Sequence, residues 1–203
     1  MYDRHMELHI DGPPGHAATG RGPDSSAALE GLRDFVNTND LEGGEDELEL
    51  PEQLHAWLLA RQLIPEHVEV DANAHRRAIA VREGLRALGR ANNGEPIDVD
   101  QMDALNQAAA GLPVVVSADP DGWRLTPAAT GIDGFLAGLM GTLARSMADG
   151  SWSRVKACRR DTCRWLFFDQ SRNRSGTWCS MAGCGSRMKA RAYRARQREA
   201  ASA

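Results

Sequence analysis

The sequence CRRDTC at residues 158–163 and the sequence CSMAGC at residues 179–184 decide how the C-terminal part of this chain can fold. Each contains two cysteines separated by four residues, fifteen residues lie between the two pairs, and the chain has no other cysteine. Two close pairs with a mid-length spacer allow each pair to occupy a turn, so that four sulfurs can surround one Zn²⁺ at about 2.3 Å. We therefore predict one structural zinc ion held by Cys158, Cys163, Cys179 and Cys184.

Other interpretations of the four cysteines stay open at this point. Disulfides form in oxidising compartments, and nothing in the sequence indicates export. An iron–sulfur cluster also takes four thiolates, but the usual ferredoxin spacings differ from this one. Unrelated buried cysteines would not be expected to form two equal pairs. A site with four protein sulfurs leaves no position for water, so we expect the ion to stabilise the fold and not to catalyse a reaction.

Charge divides the chain near Gly150. Residues 1–150 contain 11 Lys and Arg against 25 Asp and Glu, whereas residues 151–203 contain 13 against 3. The reversal of sign predicts two domains, 1–150 and 151–203, of which the second binds anionic partners. Residues 10–23 are rich in Gly and Pro, which predicts a flexible segment.

Apolar periodicity predicts a mostly helical first domain with one small β-hairpin. We expect its second helix to run to Pro65, with Leu63 facing inward. Turn residues 119–122 between two short apolar runs predict the hairpin, and residues 132–147 form the clearest amphipathic helix. The predicted fold class is α+β, with a small zinc-binding module at the C-terminal end that finishes in a basic helix.

The residues between and after the cysteine pairs are suited to bind nucleic acid. Residues 171–174 have no apolar face to bury, and their donors suit phosphate oxygens. After Cys184 follows a run of Ala and Arg, both good helix formers, in which four arginines at 4-3-4 spacing form one stripe. The expected nucleic-acid-binding residues are Arg172, Asn173, Arg174, Ser186, Arg187, Lys189, Arg191, Arg194, Arg196 and Arg198.

Double-stranded DNA is the partner that these charges favour, and several alternatives stay open. A basic run can also bind an anionic protein or lipid, or can simply be solvated. RNA or single-stranded DNA is the main alternative, with Trp165 or Trp178 stacking on bases, although both tryptophans are most simply part of a small core. A small-molecule enzyme in residues 1–150 is the least favoured, because nothing there assembles a nucleophile, a base and an oxyanion site.

No apolar run approaches the roughly 20 residues that a membrane-spanning helix requires. The first residues are acidic and contain histidines, unlike the basic and then apolar start of an export signal. We therefore expect a cytoplasmic protein that does not bind membranes.

Several motifs make the chain resemble the CGNR zinc-finger proteins, which join an N-terminal ABATE domain to a C-terminal zinc finger. The similarity to the finger runs from Cys158 to Arg196 and includes WLFFD at 165–169 and SRN at 171–173. DFVNT at 34–38 and REGLRAL at 82–88 resemble two segments of the ABATE domain. The resemblance covers most of the chain from about residue 27 onward.

The resemblance implies a bacterial DNA-binding regulator of stress responses that is not an enzyme. It also implies a pocket for a small-molecule effector at Asn37, Thr38 and Arg86. The chain differs from the family pattern in two places. Ser186 stands where the motif has Asn, and Gly176-Thr177 stands where the family commonly has a pair of basic residues. One helix and one small finger make few base contacts, so we expect a homodimer on a two-fold DNA site.

Overall fold

The computed structural model describes residues 23–119 and 122–201. The described helices are α1 (Pro23–Val36), α2 (Pro51–Ala60), α3 (Ala72–Asn92), α4 (Val99–Ala109), α5 (Gly131–Ala148) and α6 (Ser186–Ala201). The described strands are β1 (Asn39–Asp40), β2 (Glu45–Asp46), β3 (Val114–Asp119), β4 (Gly122–Pro127), β5 (Val155–Ala157) and β6 (Leu166–Phe168), joined as three antiparallel pairs. The predicted α+β class is confirmed. The flexible segment predicted for residues 10–23 lies outside the described residues, apart from Pro23.

Helix α3 is the central element of the helical part. Asp71 caps its start, because the Asp71 carboxylate accepts a hydrogen bond from the Ala74 amide at 2.7 Å. Ala78, Val81 and Leu85 lie on its buried face. The helix ends before Gly94, whose φ of 83° suits a residue without a side chain.

The hydrophobic core contains residues from both sides of the charge boundary. Phe35 packs against Trp57 and Phe135, with ring centroids 5.8 and 5.2 Å away. The same cluster includes Trp152 and Leu166 from the basic part of the chain. The β5–β6 hairpin is therefore buried against the helical part, and the division into domains 1–150 and 151–203 stays a prediction.

The end of helix α2 differs from the sequence prediction. The helix stops at Ala60, and the chain turns through Gln62, which has a φ of 56°. Leu63 is 43% exposed, so the prediction that it faces inward is wrong, whereas the neighbouring Ile64 is 5% exposed and joins the core. The reason is the early turn, which shifts the inward position by one residue.

The predicted hairpin is present, and two shorter strand pairs were not predicted. Strands β3 and β4 pair from Val114 opposite Pro127 to Asp119 opposite Gly122. The β1–β2 and β5–β6 pairs have two and three residues in each strand. Strands of this length are too short to display an alternating pattern.

Close packing fixes the β5–β6 hairpin on the C-terminal end of α3. A Cβ atom at Gly89 would lie 2.4 Å from the Leu166 Cδ2 atom, so only glycine allows this approach. The Asn92 side-chain amide donates to the carbonyls of Trp152 and Val155, both at 2.8 Å. Within the described residues, no helix is both long enough and apolar enough to cross a membrane.

Candidate metal centre and nucleic-acid interface

Two turns bring the four cysteines together. The first cysteine turn, residues 158–163, connects β5 to β6, and the second cysteine turn, residues 179–184, leads into α6. The Cys158 amide donates to the Trp165 carbonyl at 2.9 Å, and the Cys163 amide donates to the Arg160 carbonyl at 2.9 Å. These bonds close the first turn with both sulfurs on one side of it.

A π-helical turn at Met181–Gly185 shapes the second cysteine turn. The Gly185 amide donates to the Ser180 carbonyl at 3.0 Å, and the Ser180 hydroxyl accepts from the Gly183 amide at 3.2 Å. A Cβ atom at Gly185 would lie 2.9 Å from the Met181 sulfur, so a side chain there would require the flexible Met181 side chain to move.

The sulfur geometry fits one tetrahedral zinc ion. All four Sγ atoms lie within 4.8 Å of one another. Cys179 Sγ lies 3.7 Å from the Sγ atoms of both Cys163 and Cys184. Zinc–sulfur bonds of about 2.3 Å give a tetrahedral edge of about 3.8 Å, and a disulfide bond would be only about 2.05 Å long. The predicted zinc set is therefore assembled, and the four cysteines can bind one Zn²⁺.

Four sulfurs this close cannot all be thiolates unless a cation lies between them. A hydrogen bond from the Cys163 thiol lowers the pKa of Cys158 to about 5. The same contact raises the pKa of Cys163 above its ordinary value, and burial raises the pKa of Cys179 to about 12. The protein groups alone thus favour a thiolate at Cys158 over thiolates at Cys163 and Cys179, whereas a dication compensates all four sulfurs.

One arginine of the first cysteine turn lies next to the metal centre. Arg160 Nη1 lies 3.6 Å from the Cys184 sulfur, where its charge offsets part of the net −2 of a zinc tetrathiolate. Arg164 instead pairs with Glu95, on the segment after α3, and with Asp161 at 2.5 Å. The first pair is a further link between the helical part and the cysteine turns.

A buried ion pair organises the loop that contains Arg172, Asn173 and Arg174. Lys156 Nζ lies 2.7 Å from the Asp169 carboxylate and also donates to the carbonyls of Arg174 and Gly176, at 2.6 and 3.1 Å. The Gly176 amide donates to Asp169 at 2.8 Å, and a Cβ atom there would lie 2.5 Å from a carboxylate oxygen. Glycine at this position is therefore required by the loop.

The predicted nucleic-acid-binding residues lie at the two ends of the β5–β6 hairpin. Ser186 and α6 follow the cysteine turns, whereas residues 172–174 follow β6 at the opposite end, where the Asp169 amide donates to the Arg154 carbonyl. Three-residue strands span about 10 Å. The two groups are therefore separated by about the length of the hairpin.

Most of these residues are exposed, and some already have partners. Arg172 and Asn173 are exposed, and every residue from Lys189 to Ala200 is exposed. The Ser186 hydroxyl donates to the Met181 carbonyl at 2.9 Å, and Arg174 donates to the Ser153 hydroxyl at 2.9 Å. Ser186 therefore stabilises the start of α6, and its role in nucleic-acid binding stays a prediction.

The predicted effector residues are buried and hydrogen-bonded to protein groups. The Asn37 amide pairs with the backbone of Leu166, and the Thr38 hydroxyl donates to the Phe35 carbonyl at 2.8 Å. Arg86 donates to the carbonyls of Val36 and Arg164, at 2.7 and 3.2 Å. These contacts join α1, α3 and the segment from Arg164 to Leu166, so the polar groups of the three residues are largely engaged within the protein.

An open cleft of about 470 Å³ lies between the helical part and β6, and Asn37 and Thr38 line it while Arg86 does not. Its walls include Trp165 and Cys179, so one of the predicted metal ligands borders the cleft. Arg61 stacks on Trp57 at its rim, with the guanidinium 4.0 Å from the ring centroid.

The structure also identifies residues that the sequence interpretation missed. Arg82, 2% exposed, forms a two-bond ion pair with Asp46 at 2.7 Å and does not lie on a solvated helix face. Glu42 contacts both Arg160 and Arg187. Helical spacing gave a signal for Arg82, which lies four residues after Ala78 and three before Leu85 on the buried face of α3, but β2, which supplies Asp46, is too short to show a pattern.

Two family models match the chain in N-to-C order. Residues 32–150 match ABATE, described as "Putative stress-induced transcription regulator", and residues 154–197 match the CGNR zinc finger. No curated protein matches the chain. Both families are regulator or zinc-finger types and not enzyme families. Since the ABATE match covers more than half of the chain, and the four assembled cysteines lie inside the CGNR match, this protein belongs to the ABATE family and carries a C-terminal CGNR zinc finger.

Proposed function

We propose that this chain is a DNA-binding transcription regulator and that α6 binds in the major groove of duplex DNA. The observation that carries the proposal is a 16-residue helix that is exposed on every side from Lys189 to Ala200. A helix without a packed face is marginal in water at this length. Such a helix would be stabilised most by a partner that contacts several of its faces.

The charges of α6 suit the two walls of a groove. Arg187, Arg191, Arg194 and Arg198 form one stripe by helical spacing, while Lys189 and Arg196 fall on the opposite side, and Glu199 is the one acid of the helix. The major groove is about 12 Å wide and admits an α-helix between two phosphate backbones. Cations on opposite faces can therefore reach both backbones at once.

The zinc finger would set the direction of this helix. The Ser186 hydroxyl joins the first turn of α6 to the π-helical turn that carries Cys184. The proposed role of zinc is thus to hold the start of a cationic helix in a fixed orientation. The loop with Arg172 and Asn173, braced by the Lys156–Asp169 pair, would add phosphate contacts about 10 Å or more from the helix start.

RNA or single-stranded DNA is the second candidate. Trp165 is 37% exposed, so part of its side chain is accessible to a base, whereas Trp178 packs against the cysteine cluster. This candidate predicts that single strands compete with duplex DNA at equal or lower concentration.

The proposal is tested by fluorescence anisotropy with a labelled duplex and unlabelled duplex, single-stranded and RNA competitors. We expect Arg191→Gln/Arg194→Gln to weaken duplex binding by at least tenfold, because two phosphate contacts are lost. Arg61→Gln/Arg76→Gln makes the same charge change on the helical part and should weaken binding by less than about threefold. Equal losses in both double variants would contradict a binding role for α6.

We further propose a homodimer that places two copies of α6 on a two-fold site. Val116 and Trp123 lie on one face of the β3–β4 hairpin and are each more than half exposed, so they form an apolar patch that a second copy could cover. Analytical ultracentrifugation of the wild-type protein should give twice the monomer mass. The Val116→Lys variant should give a mass closer to that of the monomer. Monomeric wild-type protein at micromolar concentration would contradict the proposal.

We also propose that the cleft between the helical part and β6 binds a small-molecule effector, in a cytoplasmic protein. Its volume lies in the range of small-molecule sites, and Arg61 and Trp165 suit a planar anion. The aromatic sulfonate 8-anilinonaphthalene-1-sulfonate is a probe of this chemistry. We expect Arg61→Ala to weaken its binding at least threefold, and unchanged binding would contradict the proposal.

A further inference from the structure

Glu42 lies between two arginines of the zinc finger. Its carboxylate accepts two parallel hydrogen bonds from the Arg160 guanidinium, both at 2.8 Å, and a third from Arg187. Two-bond pairs of this kind are more directional than single contacts between exposed charges.

The metal centre brings the two arginines together. Arg160 belongs to the first cysteine turn, and Arg187 is the second residue of α6, three residues after Cys184. Arg160 Nη1 also lies 3.6 Å from the Cys184 sulfur. A zinc ion that joins the two turns would therefore hold the backbone segments that carry the two arginines close together.

Two guanidinium groups converging on one pair of oxygens form a site for a phosphate oxyanion. Guanidinium donors match carboxylate and phosphate oxygens in the same two-bond geometry. The hydrogen bonds from Arg160 lower the pKa of Glu42, so its carboxylate is charged at neutral pH. Glu42 thus presents to these arginines the charge and the oxygen spacing that a phosphodiester would present.

The β1–β2 hairpin holds Glu42 in this position. The Asp40 carboxylate accepts hydrogen bonds from the amides of Glu42 and Gly43, at 2.9 and 3.0 Å. The Gly44 amide donates to the Asp40 carbonyl at 2.8 Å. The acidic hairpin of the ABATE domain is therefore a defined turn whose tip points a carboxylate at the zinc finger.

We propose that Arg160 and Arg187 form a phosphate-binding site and that Glu42 occupies it in the free protein as an internal substitute for a phosphate. This inference rests on the proposed DNA-binding function and adds Arg160, which is not among the nucleic-acid-binding residues expected from the sequence. Glu42 is 39% exposed and Arg187 is 61% exposed, so the contact lies at the surface. Exposed ion pairs are weak, and a nucleic-acid phosphate can displace the carboxylate.

The test compares Glu42→Gln with Glu45→Gln, which removes the same charge from an exposed residue of the same hairpin. Binding is measured for a duplex and for linear polyphosphate, which carries phosphates without bases. We expect Glu42→Gln to tighten polyphosphate and duplex binding by about three- to tenfold, and Glu45→Gln by less than about twofold.

Arg160→Gln supplies the second comparison. In this background the effect of Glu42→Gln should disappear, with zinc content unchanged as the control for an intact finger. Equal effects of Glu42→Gln and Glu45→Gln on polyphosphate would overturn the inference. A difference seen with polyphosphate but no binding of duplex would keep the phosphate site and overturn the DNA-binding function.

Discussion

The side-chain amide of Asn37 pairs with the backbone of Leu166 as a neighbouring strand would. Asn37 Nδ2 donates to the Leu166 carbonyl at 3.0 Å, and the Leu166 amide donates to Asn37 Oδ1 at 2.7 Å. Asn37 belongs to the DFVNT segment of the ABATE domain, and Leu166 belongs to the zinc-finger hairpin. The two family segments are thus joined by paired hydrogen bonds inside the protein.

Replacement of Asn37 by Ala should destabilise the whole fold. The buried amide and carbonyl of Leu166 would both lose their partner, which costs about 1–3 kcal/mol for a buried unsatisfied group. Urea unfolding followed by circular dichroism measures the loss in free energy of unfolding. Asn39→Ala, in the half-buried strand β1, is the control and should cost less than about 0.5 kcal/mol. Equal losses would mean that the pairing with Leu166 contributes nothing specific.

Two helical glycines should respond in opposite ways to alanine. Gly89→Ala places a Cβ 2.4 Å from the Leu166 side chain and 3.2 Å from the Ala157 backbone nitrogen, so we expect destabilisation by about 1–3 kcal/mol. Gly31→Ala in α1 meets no atom within 4 Å and should stabilise the protein by about 0.5–1 kcal/mol, because alanine favours the helix. Thermal unfolding of both variants checks the signs. A neutral Gly89→Ala would contradict the close packing of α3 on the β5–β6 hairpin.

The buried Lys156–Asp169 pair should be sensitive to loss of either charge. Lys156→Met leaves the Asp169 carboxylate buried without its cation, which costs about 3–5 kcal/mol for a broken buried pair. Lys156→Met/Asp169→Leu removes both charges and should cost less than Lys156→Met alone. The urea concentrations at the unfolding midpoints show which of the two variants is less stable. The reverse order would show that the carboxylate is compensated by other groups.

The same pair predicts how stability depends on acid. Burial would raise the pKa of Asp169, but hydrogen bonds from Lys156, Ser171 and Gly176 hold it well below the ordinary value of 3.8. Because the pKa is lower in the folded chain, ionised Asp169 stabilises the fold above about pH 4, and this stabilisation is lost as the pH falls further. Acid unfolding of Asp169→Asn should show a weaker pH dependence than wild type between pH 4 and pH 2. Identical slopes would contradict the assignment.

Loss of one cysteine should remove the zinc ion. Cys158→Ser should reduce the zinc content from about one equivalent to a small fraction, because the remaining three thiolates cannot close the tetrahedral site. Thr162→Ser lies in the same turn, is exposed and should keep the full equivalent. Metal analysis after gel filtration measures both. Retention of a full equivalent by Cys158→Ser would contradict the four-cysteine site.

The sequence predicted the elements that carry a period or a fixed spacing. The β3–β4 hairpin depends on turn residues between two short apolar runs, and the four-cysteine set depends on the fixed spacing of two close pairs, so the sequence was sufficient for both. The end of α2 was wrong because an early turn at Gln62 competes with the apolar pattern that continues to Leu63. Rules based on neighbouring residues do not decide whether such a turn or the continued apolar periodicity of the helix prevails.

Contacts between distant segments were beyond sequence reasoning. Asn37 and Leu166 are 129 residues apart, and Glu42 and Arg187 are 145 residues apart. Neither pair has a spacing that a pattern could reveal. The interpretation of Asn37, Thr38 and Arg86 as one effector site came from the resemblance, whereas the fold uses their polar groups to hold its parts together.

The salt dependence of duplex binding tests the central claim most directly. If α6 and the braced loop neutralise about six phosphates, the logarithm of the association constant should fall with the logarithm of salt concentration with a slope of about −5. Removal of zinc with a chelator should abolish this binding, because the start of α6 is then no longer held. A slope near zero, no affinity for duplex DNA, or full binding by the metal-free protein would contradict the account.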